Sequence, residues 1–311
     1  MTDASPTIIQ VQHLTKDYGK GRGIFDVSFQ VKKGQVFGFL GSNGAGKTVT
    51  MRHLMGFIRP QSGSAEIFGL DCFDKRAQIQ GRLGYLPGEI SVDESLTGRQ
   101  FLQFTAKMRG MKDLRRMEEL IERFELDPKA RIGRMSKGTK QKVGLVAAFM
   151  SQPEVLLLDE PTSGLDPLMQ NRFIDLVLEE RDRGATVFLS SHIFEEVERT
   201  CDRVAFIRAG EIASIEDVSQ VRSSRSQAFV VDFASEEQLR RYLDSHPNSG
   251  PARTEISQTG CRSVLCRIPG SVDAFIKDLG GYEIEGLASR EQSLEEAFMG
   301  FYEPAQKEDL A

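Results

Sequence analysis

Two short runs of residues in this 311-residue chain have the types and spacing of phosphate chemistry. Gly41-Ser42-Asn43-Gly44-Ala45-Gly46-Lys47-Thr48 matches the pattern G-x-x-x-x-G-K-[ST]. In such a loop the glycines let backbone N–H groups converge on phosphate oxygens, and the helix that follows adds partial positive charge. Lys47 then reaches the β and γ phosphates, and Thr48 offers a hydroxyl to Mg2+. The second run is Val155-Leu156-Leu157-Leu158-Asp159-Glu160, an apolar stretch ending in two carboxylates. Asp159, at its tip, is placed to hold Mg2+ through water, and Glu160 to polarise the water that attacks a γ phosphate. By itself the pair also admits the lesser reading of an acidic turn after a strand; beside a phosphate loop the catalytic reading prevails. No G-x-G-x-x-G registers on the glycine turn, which argues against a dinucleotide fold.

These residues need elements to hold them. Ile8–Leu14 and Phe25–Val31 alternate apolar and polar, as two half-buried strands joined by the turn Tyr18–Gly23. Gln35–Leu40 is apolar without alternation, as a strand buried on both faces is, and it runs straight into the glycine loop. A helix over Lys47–Met55 and a short strand at Ala65–Phe68 follow. Residues 95 to 127 read as mostly helical, then come a polar loop, a helix over Lys140–Met150 and the strand Val155–Leu158. Helix Pro167–Arg183, strand Thr186–Ser190, helix Ile193–Thr200 and strand Val204–Arg208 continue the alternation, which implies a largely parallel sheet with helices on its faces.

The pattern breaks at Ser219–Ser226, a linker-like stretch. We therefore expect one domain over 1–219, with a helical subdomain at about 90–150, and an accessory domain over 220–311. The second reads strand (Ala228–Phe233), helix (Glu236–Ser245), strands (Ala252–Gln258, Ser263–Ile268), helix (Val272–Leu279) and strand (Glu283–Leu287), the split βαββαβ of ferredoxin-like domains. A final helix is expected from Ser293, with Glu296 completing a capping box.

Composition narrows the classes. Lys and Arg number 40 against 45 Asp and Glu, for a net charge of −5, so a broad cationic surface for nucleic acid is not expected. No apolar run approaches the roughly 20 residues that span a bilayer. The N-terminal residues lack the basic start and apolar stretch of a secretory signal. Cys72, Cys201, Cys261 and Cys266 are scattered, which suits reduced thiols better than a disulfide frame or zinc site. His13, His53 and His246 show no metal spacing.

Three further motifs, in order, carry a family resemblance. Arg134-Met135-Ser136-Lys137-Gly138-Thr139-Lys140-Gln141-Lys142 is similar to the Leu-Ser-Gly-Gly-Gln signature of ABC transporter ATP-binding subunits; Ser136 and Gly138 stand for its serine and second glycine, while Lys137 and Thr139 depart from it. Ser163-Gly164-Leu165-Asp166 resembles the family's D-loop, and Ser190-Ser191-His192 its switch histidine. Tyr18 lies where the family stacks an aromatic ring on adenine. After Leu83-Gly84-Tyr85-Leu86-Pro87 the family's glutamine is replaced by Gly88, followed by Glu89.

The resemblance implies an α/β P-loop ABC fold with a helical subdomain, ATP with Mg2+, catalysis by Glu160 and His192, and ATP shared head to tail between two such subunits. Ser136 and Gly138 would then serve the partner's nucleotide. It also implies a homodimer or paired ABC subunit, a separate membrane permease, and a peripheral place at the cytoplasmic face of the cell membrane. The wording around residues 84–88, the signature and Ser293–Phe298 resembles ATPases of bacterial ABC-2-type exporters, including drug and antibiotic-resistance systems. An importer subunit and a soluble non-transport ABC ATPase or regulator are the alternatives.

Overall fold

The structure is a computed structural model, and it describes residues 5–223, 227–246, 255–268 and 272–290. The chain divides into two compact units, Met1–Val218 and Ser219–Ala311.

In the first unit, β1 (Thr7–Asp17) and β2 (Gly23–Lys32) form the expected hairpin, and β3 (Val36–Leu40) leads into α1 (Lys47–Leu54). Then follow β4 (Ser62–Ile67), the two-residue β5 (Leu70–Asp71), α2 (Arg76–Gln80) and β6 (Leu83–Leu86). Three helices, α3 (Gly98–Met108), α4 (Arg115–Arg123) and α5 (Lys137–Phe149), make the helical segment. The remainder alternates β7 (Val155–Asp159), α6 (Pro167–Asp182), β8 (Thr186–Ser191), α7 (Phe194–Thr200) and β9 (Arg203–Arg208), closing with β10 (Glu211–Asp217).

Two sheets result. An antiparallel sheet has the order β2-β1-β4-β5, and a six-stranded sheet the order β10-β9-β3-β8-β7-β6. The latter is parallel except for β10, which pairs antiparallel with β9 at the edge. Strands β3, β7 and β8 are buried at every residue, so their sequences are apolar without alternation. Phe29 of β2 stacks on Phe37 at 5.4 Å between ring centroids and on Phe188 at 5.4 Å, joining the two sheets through one apolar core.

Some local expectations change. Helix α5 begins three residues before the predicted Lys140, because Ser136 takes the N-cap and its Oγ accepts from Thr139 N at 3.1 Å. The stretch that resembles the signature is thus a helix start rather than a loop. Neither α2 nor β10 is visible as periodicity: α2 has one turn, and the burial of β10 never alternates cleanly.

The short helix α8 (Val218–Ser223) is followed in the second unit by β11 (Gln227–Phe233), α9 (Glu236–Ser245), β12 (Glu255–Gln258), β13 (Ser263–Ile268), α10 (Val272–Leu279) and β14 (Ile284–Arg290). Its antiparallel sheet has the order β12-β13-β11-β14, that of the ferredoxin-like fold, and it owns a separate core around Phe233, Tyr242 and Phe275. Residues 252–254 of the expected second strand, part of the expected linker and the helix expected from Ser293 lie outside the described residues.

Among the described residues no helix is long and apolar enough to cross a membrane. The expected place at the cytoplasmic face of the cell membrane is corrected on that finding. It rested on resemblance alone.

Candidate nucleotide site

The strand order assembles the site. Strand β8 lies between β3 and β7, in register with both, pairing Leu40 with Ser191 and Asp159 with Ser190. The glycine loop after β3, the carboxylates after β7 and His192 after β8 therefore meet at one edge, the carboxyl ends of parallel strands where open α/β sheets bind ligands.

Gly46 is the N-cap of α1 with φ at 115°, and a Cβ there would lie 2.8 Å from Ile24 Cγ2. Only glycine fits that turn without strain. No side chain caps α1, and no acidic residue occupies its first turn, so its leading N–H groups remain available to an anion. Lys47 is buried. Its Nζ donates to Gly41 O at 2.6 Å and Ser42 O at 3.2 Å, and ion-pairs with Glu160 Oε1 at 3.0 Å. Glu160 Oε2 in turn meets His192 Nδ1 at 2.6 Å. Ser42, Asn43, Gly44 and Ala45 complete the loop between β3 and α1.

Adjacent carboxylates serve different partners. Asp159 ends β7, accepting from Thr48 Oγ1 at 3.1 Å through Oδ2 and from Ser190 Oγ through Oδ1. Glu160 then adopts φ 48°, a left-handed conformation rare outside glycine, and leaves the strand direction. Gln141 fixes that bend from α5: its Nε2 donates to the Glu160 and Pro161 carbonyls at 3.2 and 3.0 Å.

The replaced glutamine position has a definite geometry. A Cβ on Gly88 would lie 3.3 Å from Asp159 Oδ2, so the glycine leaves the space over that oxygen free of a side chain. Glu89 is exposed and lines a cavity of about 500 Å³ together with Gly88, Lys137 and Lys140. Tyr85, half-buried near Asp159, has its hydroxyl pushed up to about 12, first by burial and then by that carboxylate.

Residues of the signature-like stretch lie beside the D-loop-like turn of the same chain. Lys137 Nζ donates to Ser163 Oγ at 2.8 Å, and a Cβ on Gly138 would fall 2.3 Å from Gly164 O. Neither Ser136 nor Gly138 is bonded to the phosphate loop among the described contacts. Tyr18 is 48 % exposed in the turn between β1 and β2, with Lys16 Nζ 5.8 Å from its ring centre. Sequence reasoning missed Ser190 as a partner of Asp159, as well as Gln141. Each is an ordinary polar residue in its own segment, and only the fold brings it to the site.

Comparison with known proteins agrees with this architecture. The family model described as ABC transporter matches residues 24–163. The chain is 32 % identical over 298 residues to the bacitracin transport ATP-binding protein BcrA of Bacillus licheniformis, covering 94 % of this chain and 96 % of that one. It is 36 % identical over 213 residues to the linearmycin resistance ATP-binding protein LnrL of Bacillus subtilis, covering 67 % and 68 %. A solved ATP-binding subunit of an ABC transporter superposes with a TM-score of 0.65 at 31 % identity, covering 70 % of this chain and 92 % of that one. The ATP-binding cassette MJ0796, solved as a dimer with ADP and Pi, shares the fold at a TM-score of 0.62 and 19 % identity, covering 68 % and 99 %. With the phosphate loop, the strand-end carboxylates and the histidine gathered at one sheet edge, the chain belongs to the ATP-binding subunits of ABC transporters.

Proposed function

We propose that this subunit hydrolyses ATP to drive export of a substrate through a separate permease chain, closing head to tail with a second ABC subunit over two nucleotides. The observation that carries the catalytic part is the contact series Lys47–Glu160–His192. Lys47 binds the β and γ phosphates, Glu160 accepts the proton of the attacking water, and His192 orients Glu160. Backbone N–H groups of residues 41–48 hold the phosphate oxygens, and Tyr18 stacks on the base. Ser136 and Gly138 complete the partner's site. The similarity to proteins named for bacitracin transport and linearmycin resistance supports export over import.

The residues present fit a magnesium ion. Thr48 Oγ1 and Asp159 Oδ2 are hard oxygen donors 3.1 Å apart, and no side chain from position 88 crowds them. Thr48 and Asp159 would hold the ion, which when bound neutralises charge developing on the phosphates.

Glu160→Gln tests the reading. The amide cannot take the proton, so turnover should fall by about a hundredfold or more while ATP binding persists. The variant should then accumulate as an ATP-bound dimer in light scattering. Turnover at the wild-type rate would remove Glu160 from this role.

A further inference from the structure

Beyond Asp159 and Glu160 lies a third carboxylate that takes no part in the proposed reaction. Glu196, on α7, is 4 % exposed. Its Oε2 accepts from Ser191 Oγ at 2.5 Å, with the Thr162 hydroxyl as the carboxyl's other polar neighbour. Ser191 is the last residue of β8 and immediately precedes His192; its Oγ also accepts from Ile193 N at 3.0 Å. The turn bearing His192 is therefore tied on both sides through one hydroxyl, and that hydroxyl is tied to Glu196. Helix α7 is a firm anchor, since Val197 is fully buried and Thr200 Oγ1 donates to Glu196 O at 2.7 Å.

We propose that Glu196 is a positioning residue for ATP hydrolysis: through Ser191 its ionised carboxylate holds the turn that presents His192 to Glu160. This rests on the functional reading above. An ionised acceptor makes a stronger hydrogen bond to Ser191 than a protonated one, and it fixes which way the hydroxyl proton points. That leaves the Ser191 oxygen lone pairs to Ile193 N–H, so the turn is ordered most firmly when Glu196 is charged.

The surroundings place that ionisation near neutrality. Burial pushes the carboxyl up to about 7, and the Glu160 charge adds to the rise, against the lowering by the Ser191 and Thr162 hydroxyls. Glu195 and Arg199 on the same helix line a small cavity with Glu196, to which α6 contributes the uncharged Gln170 and Ile174. Cys201, buried at the helix end, is held as a neutral thiol, its ionisation pushed further up by burial and by Glu196.

The test is steady-state ATPase of the full-length chain from pH 6 to 8.5, on wild type, Glu196→Gln, Ser191→Ala and the double variant. In the wild type kcat should fall about tenfold from pH 8 to pH 6, following loss of the carboxylate charge, with KM for ATP nearly constant. Glu196→Gln keeps the shape and the acceptor but has no charge to lose, so its kcat should vary less than twofold over the same range. Ser191→Ala should flatten the profile as well, and the double variant should be no slower than the slower single one. A tenfold acid limb that persists in both single variants overturns the proposal, as does a double variant whose defect is the product of the two. A wild type that hydrolyses no ATP overturns the functional reading itself and this inference with it.

Discussion

In the proposed function the ammonium of Lys47 has two rival anions, the Glu160 carboxylate that it pairs with at 3.0 Å and the phosphates of ATP. Removing the protein's own anion should favour the nucleotide. Glu160→Ala should therefore bind ATP severalfold more tightly than wild type in titration calorimetry, whereas Lys47→Ala should lose binding. Equal affinity of wild type and Glu160→Ala would show that the ion pair does not compete. Gly88 yields a second expectation. Asp159 is held by Thr48 and Ser190, so it cannot retreat from a new Cβ at 3.3 Å. Gly88→Ala should cost about 1 kcal/mol of magnesium-dependent ATP affinity, roughly fivefold, while leaving magnesium-free nucleotide binding unchanged. Glu196 also bears on stability. Its ordinary value is 4.5 and its folded value about 7, so the folded chain keeps a proton that the unfolded chain gives up between them. The stability this contributes is present below about pH 4.5 and is lost as pH rises through about 7. Urea denaturation should show Glu196→Gln gaining on wild type at pH 8 relative to pH 5.

At the scale of the element, helix starts carry the chemistry. Helix α1 begins uncapped on a glycine, whereas α5 begins on Ser136 and α6 on Asp166, whose side chain accepts from Met169 N. An uncapped start is unfavourable for a helix unless a ligand supplies the acceptors, which is the arrangement of an anion site. Ser136 is the N-cap of α5 and, in the proposed function, also the serine that serves the partner's nucleotide. Ser136→Ala should thus destabilise the chain by about 1 kcal/mol in denaturant unfolding, and Ser136→Gly by a few tenths only. If the two variants lose ATPase activity equally despite that difference, the hydroxyl acts on nucleotide as well as on the helix.

At the scale of the molecule, each unit owns its core, and all the site residues fall in the first. A chain ending at Val218 should fold and bind ATP with unchanged affinity, measured by calorimetry. The shared-site reading adds a test on mixtures. Lys47→Ala combined with Ser136→Arg yields heterodimers with one intact and one doubly damaged site, so ATPase activity should recover partway above either variant alone. Heterodimers that form without recovery would argue against a shared site.

Local geometry is what the sequence by itself determined. A phosphate loop needs glycines, a lysine and a helix start within eight residues, so Gly41–Thr48 is legible without any tertiary contact. Asp159 and Glu160 follow from an apolar run that is continuous because β7 is buried on both faces. The ferredoxin-like order of the second unit was readable for a similar reason, as short alternating strands and helices separated by turn residues. What the tertiary structure decided is everything that depends on strand order. Placing β8 between β3 and β7 brings Ser190 to Asp159 and His192 to Glu160, across 31 and 32 residues of sequence. Gln141 reaches the Glu160 and Pro161 carbonyls, and Glu196 reaches Ser191, through bonds between elements that leave no periodicity behind. Hydrogen-bond partners are chosen by which elements pack together, and that choice is made by the burial of whole strand and helix faces rather than by any one segment.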